Sequence, residues 1–177
     1  MRKIIYIDMD NVLVEFKTGI DKLSDEIKMK YEGNLDDVPG IFSLMEPMPF
    51  ALESVKKLAS AFELYVLSTA PWKNSSAWSD KVQWIQKYFG DGKDSMFYKR
   101  LIISHHKNLN NGDYLIDDRE KNGAKEFAGE LIQFGSEHFS DQCIPYGKPP
   151  CGLRSSRSYN RVSHHALMMI RGRGYSD

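Results

Sequence analysis

The stretch Ile4-Ile5-Tyr6-Ile7-Asp8-Met9-Asp10-Asn11-Val12-Leu13 decides how the rest of the chain is read. Its first four residues are continuously apolar rather than alternating, the mark of a strand buried on both faces of a parallel sheet. Acid follows at once. Three later runs repeat the pattern: Leu64 to Leu67 leads into Ser68-Thr69-Ala70-Pro71, Leu101-Ile102-Ile103 precedes His105-His106-Lys107, and Tyr114 to Ile116 leads into Asp117-Asp118-Arg119. Between these runs, apolar residues recur at helical spacing: Ile20, Leu23, Ile27 and Tyr31; Val55, Leu58 and Phe62; Trp78, Val82, Ile85 and Phe89. These read as core faces, with Trp78 packing rather than recognising a ligand. Strands alternating with helices predict an α/β domain, a three-layer Rossmann-like parallel sheet between helices.

The chain has 177 residues, enough for one domain with a substantial core. Its 24 basic and 24 acidic residues cancel, so no global field draws it to nucleic acid or to an anionic membrane. Neither is expected as a partner. No apolar run approaches a membrane span, and the two cysteines, Cys143 and Cys151, cannot build a disulfide framework, so a cytoplasmic setting is expected. The charge balance hides an asymmetry. Residues 143–177 hold six basic and one acidic side chain, which leaves 18 basic and 23 acidic in residues 1–142. The predicted organisation is one α/β domain over 1–142, with a small helical cap inserted at 17–50, and a basic, atypical tail at 143–177 that reads as disordered.

Ligands of open parallel sheets bind beyond the carboxyl ends of the strands, so the four polar clusters point to one crevice. Asp8 and Asp10 lie two apart on extended backbone and can project the same way. Two carboxylates about 4 Å apart repel by roughly 4 kcal/mol at an effective dielectric near 20. Asp117 and Asp118 add to that cost. A divalent cation relieves it, and an all-oxygen set completed by water and phosphate suits Mg²⁺. Ser68 and Thr69 offer hydroxyls and Lys107 a compact cation, which together with the acids describe a phosphoryl-transfer site. One carboxylate attacks phosphorus to give an aspartyl-phosphate, and another protonates the leaving group and then activates water. Spacing alone does not decide which acid attacks.

Asp8-Met9-Asp10-Asn11-Val12, Ser68 at a strand end, Lys107 and Asp117-Asp118, in that order, resemble the four motifs of the haloacid dehalogenase superfamily of phosphatases. Ile7 to Leu13, Leu115-Ile116-Asp117-Asp118-Arg119 and Leu131-Ile132-Gln133-Phe134-Gly135 more narrowly resemble the 5′(3′)-deoxyribonucleotidase family, over residues 1 to about 140. The resemblance implies Mg²⁺-dependent hydrolysis of nucleoside monophosphates. It makes Asp8 the nucleophile and Asp10 the general acid and base, with the Asp10 carbonyl also meeting the metal. It makes Asp8, Asp10 and Asp117 the metal set, and Ser68 and Lys107 the phosphoryl ligands, with Thr69 able to exchange roles with Ser68. Asp118 stands behind the metal ligands, or serves as a helix cap. Phe16 and Phe42, and less directly Trp72, are implied for the base. The oligomeric state stays open, a homodimer included.

Other readings compete. A non-enzymatic phospho-receiver domain also gathers acids, a hydroxyl and a lysine at strand ends, but there the paired acids follow the first strand, whereas here the adjacent pair comes last. A phosphatase or phosphotransferase for another small phosphorylated metabolite is a further alternative. His105-His106 cannot ligate one metal together from extended backbone, and Gly90-Asp91-Gly92-Lys93 lacks the spacing of a phosphate-binding loop and reads as a turn.

Overall fold

The computed structural model describes residues 2–135; residues 136–177, and with them the basic tail expected at 143–177, lie outside the described residues. In chain order the elements are β1 (Ile4–Ile7), β2 (Val14–Glu15), α1 (Phe16–Asp21), α2 (Asp25–Lys30), β3 (Glu46–Pro47), α3 (Ala51–Ala59), β4 (Glu63–Ser68), α4 (Ser76–Phe89), β5 (Leu101–Ile103), β6 (Tyr114–Asp117) and β7 (Glu130–Gln133). Short 3₁₀ turns occupy Leu35–Asp37, Ile41–Leu44 and Lys107–Leu109. The main sheet is ordered β5-β4-β1-β6-β7, and all its pairs are parallel. The α/β fold and its Rossmann-like sheet are therefore as expected, with all four apolar runs forming strands.

The first strand lies at the centre between β4 and β6, and its Ile5, Tyr6 and Ile7 are all buried. Period-two alternation divides the sheet into two faces. Tyr6 pairs with Tyr65 and Leu115, Leu67 with Ile102, and Leu115 with Leu131, so these side chains share one face. Ile5 pairs with Leu64 and Tyr114 on the other, where Phe62, just after α3, meets Tyr114 edge to face at 6.3 Å. Along a right-handed path the steps β1 to β4 and β4 to β5 run the same way, which carries α3 and α4 across a single face.

The opposite face has no helix among the described residues. Ala124 and Phe127, from the turns between β6 and β7, cover it instead, and the Phe127 ring stands nearly perpendicular to Tyr6 at 5.9 Å. Its outer members Ile4, Tyr65, Ile102 and Leu131 are only partly buried. Here the third layer is irregular chain rather than helix.

Three local readings need correction. The periodic run from Ile20 to Tyr31 is two short helices rather than one, because Ser24 caps a new start by accepting from the Ile27 N–H at 3.4 Å, and α2 buries no residue. Of the expected core face of α4, Trp78, Val82, Ile85 and Phe89, only Ile85 is fully buried: Trp78 and Val82 are exposed, and Ala77, Lys81 and Trp84 are buried in their place. A lysine on the buried stripe rotates the apolar pattern by one position. Finally, β7 has only Leu131-Ile132 as an apolar run, half-buried between the polar Glu130 and Gln133, and β2 and β3 have two residues each, too little to signal a strand. The antiparallel ribbon of β2 with β3 brackets the helical insertion, residues 16–45.

Phe127 carries much of the cover on the helix-free face. Phe127→Ala should cost about 3–5 kcal/mol, lowering Tm by roughly 10 °C, whereas Phe127→Leu should cost much less; calorimetry of the two variants measures the difference.

Candidate active site

The register assembles the site. Ile7 lies opposite both Val66 and Ile116, so the next residue, Asp8, emerges between the tips of β4 and β6, and its N–H donates to the Ile116 carbonyl at 2.8 Å. Ser68 and Asp117 are the last residues of those two strands. Beyond Asp8 the chain turns back tightly: the Met9 carbonyl accepts from the N–H groups of Leu13 and Val14, and Asn11 adopts a left-handed φ of 57°. Asparagine is among the few residues that tolerate that conformation. Its side-chain amide then donates to Asp118 Oδ2 at 3.2 Å.

One carboxylate oxygen each from Asp8, Asp117 and Asp118 lies within 4.8 Å of the others. Lys107, brought in by the turn after β5, sits between two of them, its Nζ 3.1 Å from Asp8 Oδ1 and 2.5 Å from Asp117 Oδ2. On the other side Lys81 Nζ, from α4, lies 2.6 Å from Asp10 Oδ2 and donates to Ser68 Oγ at 3.0 Å. Arg119 is half-exposed at the edge, its Nε 3.4 Å from Asp118 Oδ1. Four acids thus face three cations, an excess of one negative charge when all are ionised.

The electrostatics follow from burial. Desolvation raises the Asp10 carboxyl above its usual range, opposed by Lys81 and reinforced by Asp8. Asp117 is raised first by desolvation and then by the Asp8 charge, against the pull of Lys107. Asp118 is raised by desolvation, against Arg119. Burial works against the Lys107 ammonium, yet Asp8 and Asp117 together more than offset it and hold it above its ordinary value. Asp8 Oδ1, Asp10 Oδ1 and Asp118 Oδ1 are buried and accept no hydrogen bond, the first and last lying near a cation without directed contact. Such orphaned oxygens are costly unless a cation takes them. A hard divalent cation fits this donor set.

The predicted residues sort as follows. Asp8, Asp117, Asp118 and Lys107 converge, and Asp10 and Ser68 meet through Lys81. Thr69 spends its hydroxyl hydrogen on the Ser104 carbonyl at 3.0 Å, whereas Ser68 Oγ accepts a hydrogen bond from Lys81 and keeps its own hydrogen to donate. Asp118 lies in one cluster with Asp8 and Asp117. Both Asp117 oxygens are engaged, by Lys107 and by the Arg119 N–H, so of the adjacent pair Asp118 has the uncommitted oxygen. Phe16 and Phe42 pair at 5.9 Å, but Phe42 is only 1% exposed, leaving the half-buried Phe16 to present a face. Trp72 is 86% exposed, and its ring partner is His105, at 6.0 Å. Sequence reasoning passed over Lys81, Asn11 and Arg119; for Lys81 the available signal was a lysine interrupting the apolar stripe of the helix that follows Ser68.

A parallel α/β sheet that gathers an acid pair from its first strand, a hydroxyl, a lysine and a second acid pair at its carboxyl edge defines a phosphatase of the haloacid dehalogenase superfamily. Within it, the chain belongs to the family described as 5′ nucleotidase, deoxy (pyrimidine), cytosolic type C protein, whose profile matches residues 34–142. It is 55% identical over 140 residues to a protein of Vibrio phage KVP40 named "Putative 5′(3′)-deoxyribonucleotidase", covering 79% of this chain and 80% of that one. A Staphylococcus epidermidis protein with the same name is 30% identical over 158 residues, covering 77% and 85%. The 5′(3′)-deoxyribonucleotidase of Clostridium acetobutylicum is 32% identical over 100 residues, covering 56% and 51%. This membership sets aside the receiver-domain reading. No helix among the described residues is long and apolar enough to cross a membrane.

Raised carboxyl values give the site a definite pH dependence. A carboxyl whose folded value exceeds its unfolded one makes the folded state bind more protons; its contribution to stability is present below the ordinary value of 3.8 and is lost as pH rises through the raised value. A bound cation removes that penalty and competes with the same protons. The rise in Tm on adding Mg²⁺ should therefore be larger at pH 7.5 than at pH 5.5, and Asp118→Asn should remove most of it; differential scanning fluorimetry with and without EDTA reads both.

Proposed function

We propose that this protein is a Mg²⁺-dependent 5′(3′)-deoxyribonucleotidase, hydrolysing deoxynucleoside monophosphates to nucleoside and phosphate through an aspartyl-phosphate on Asp8. The observation that carries the reading is the lysine-bridged pair Asp8–Asp117 at the tips of adjacent strands, beside the oxygens of Asp10 and Asp118 that accept no hydrogen bond. The names of the similar phage and bacterial proteins support the substrate class.

A carboxylate oxygen of Asp8 attacks phosphorus as the bond to the leaving oxygen breaks. Asp10 gives its proton to that oxygen, and burial, by raising its carboxyl above the usual range, favours the protonated form that this step needs. In the second half a water attacks the phosphoryl group on Asp8, Asp10 takes the water's proton, and the phosphorus bond to Asp8 breaks to restore the carboxylate. Ser68 donates its hydroxyl to the phosphoryl oxygens. Lys107 keeps Asp8 and Asp117 together as charge moves between them and the phosphoryl group. Asp8, the Asp10 carbonyl and Asp118 would hold the Mg²⁺, with Asp117 fixed by Lys107 beside them. The metal, when bound, neutralises phosphate charge and polarises the phosphoryl oxygens.

We assign residues 17–50 as the cap over the base, with Phe16 the stacking face at its edge and Phe42 the buried support beneath it. Trp72, turned toward His105, is the outer rim. The reading places the enzyme among cytoplasmic proteins of nucleotide metabolism.

A panel of deoxy- and ribonucleoside monophosphates and sugar phosphates, assayed with Mg²⁺ and with EDTA, tests this directly. Deoxynucleoside monophosphates should give the highest kcat/KM, and EDTA should abolish turnover. Asp8→Asn should lower kcat at least about 10³-fold; turnover at wild-type rate in that variant would end the covalent scheme. Phe16→Ala should raise KM for nucleotides several-fold while leaving KM for p-nitrophenyl phosphate nearly unchanged.

A further inference from the structure

Lys81 is fully buried, yet no apolar-core role accounts for an ammonium there. Removing such a charge from water costs several kcal/mol even after relaxation, so a fully desolvated lysine must be met by a charge and well-placed acceptors. Its surroundings supply three neighbours. Asp10 Oδ2 lies at 2.6 Å, Ser68 Oγ at 3.0 Å, and the Phe42 ring centroid at 4.6 Å. An ammonium has three N–H donors. Asp10 and Ser68 take two of them, and the ammonium also lies over the Phe42 ring.

What Lys81 does to its partners is more informative than its own charge. By donating to Ser68 Oγ it takes an acceptor lone pair, so the Ser68 hydrogen is left to donate elsewhere. By gripping Asp10 Oδ2 it leaves the other oxygen, Oδ1, as the one buried without a hydrogen-bond partner. We propose that Lys81 is a positioning residue that locks the Asp10 carboxyl and the Ser68 hydroxyl to each other, so that one acid oxygen and one hydroxyl hydrogen face the transferring phosphoryl group together. The lock is delivered from α4, and its third neighbour, Phe42, belongs to the helical insertion. The alignment of the acid is thereby tied to the seating of that insertion.

This rests on the assignment of Asp10 as the proton donor, and the test separates the two. Leaving groups differ in their need for that proton: a nucleoside alkoxide requires it, whereas p-nitrophenolate departs without it. Because kcat/KM reports only the steps through transfer to Asp8, the ratio of kcat/KM for p-nitrophenyl phosphate to that for a deoxynucleoside monophosphate measures how well the acid is delivered. General acids contribute roughly 10²- to 10⁴-fold, so Lys81→Met in the Mg²⁺-loaded enzyme should raise the ratio at least about tenfold. Lys81→Gln, which retains an uncharged amide to donate and provides a second chance of a well-folded variant, should raise it as well. Asp10→Asn should raise it further, and adding Lys81→Met to Asp10→Asn should leave it unchanged, since the lysine acts through the acid. Equal losses on both substrates in both lysine variants, or multiplicative effects in the double variant, would overturn the proposal while leaving the role of Asp10 intact. An unchanged ratio in Asp10→Asn would overturn both. Melting temperatures of all variants, measured alongside, identify loss of folded protein separately from loss of alignment.

Discussion

Mutual repulsion among Asp8, Asp10, Asp117 and Asp118 is the constraint around which this molecule is built. The central strand and its β6 neighbour deliver their acids side by side because their registers coincide at Ile7 and Ile116. No sheet would retain that arrangement for its own stability. Lys107 and Lys81 answer it from opposite flanks, each almost wholly buried, the first against Asp8 and Asp117 and the second against Asp10. The two lysines are not equivalent. Lys107 joins acids that belong to different strands, whereas Lys81 joins an acid to a hydroxyl and reaches them from a helix. Between them they hold three of the four carboxylates, Asp118 being held by Asn11 and Arg119, yet single oxygens stay uncommitted, the condition under which a cation and a phosphoryl group can be recruited.

The legible parts of the sequence were those in which one physical signal acts alone. Continuous apolar runs a few residues long marked four strands of the main sheet, since burial on both faces leaves no room for alternation. The polar residues at their ends marked the site, because strand order in a parallel sheet brings carboxyl ends together. Where two signals compete, the reading failed. Lys81 belongs to the core stripe of α4 by position and to the acid cluster by charge, and a hydropathy pattern sees only an interruption. Ser24 ends one helix pattern and begins another with no change in apolar spacing. The division of labour between Asp117 and Asp118 depends on which oxygens are already bonded, and that is a property of the Arg119 N–H and of Lys107 rather than of the motif. Asn11 stood inside the first motif with no role assigned, and its amide contact to Asp118 needed coordinates.

The insertion is held more firmly than a two-stranded ribbon alone would hold it. Asn74 donates to the carbonyls of Asp36 and Val38, Ser76 accepts from the Gly40 N–H, and the Trp84 indole donates to the Met45 carbonyl. All three anchors come from α4 or the loop leading into it, the same helix that carries Lys81. Substrate-facing and proton-handling groups therefore share one rigid support.

The ribbon itself has an evolutionary reading. Residues 16–45 leave and rejoin the domain through strands of only two residues each, paired with one another and not with the five-stranded sheet. Their length and composition can drift without shifting the alignment of any strand that bears an acid. Selection can thus redraw the ligand-facing module, provided the three backbone anchors to α4 survive, while the chemical machinery is inherited intact.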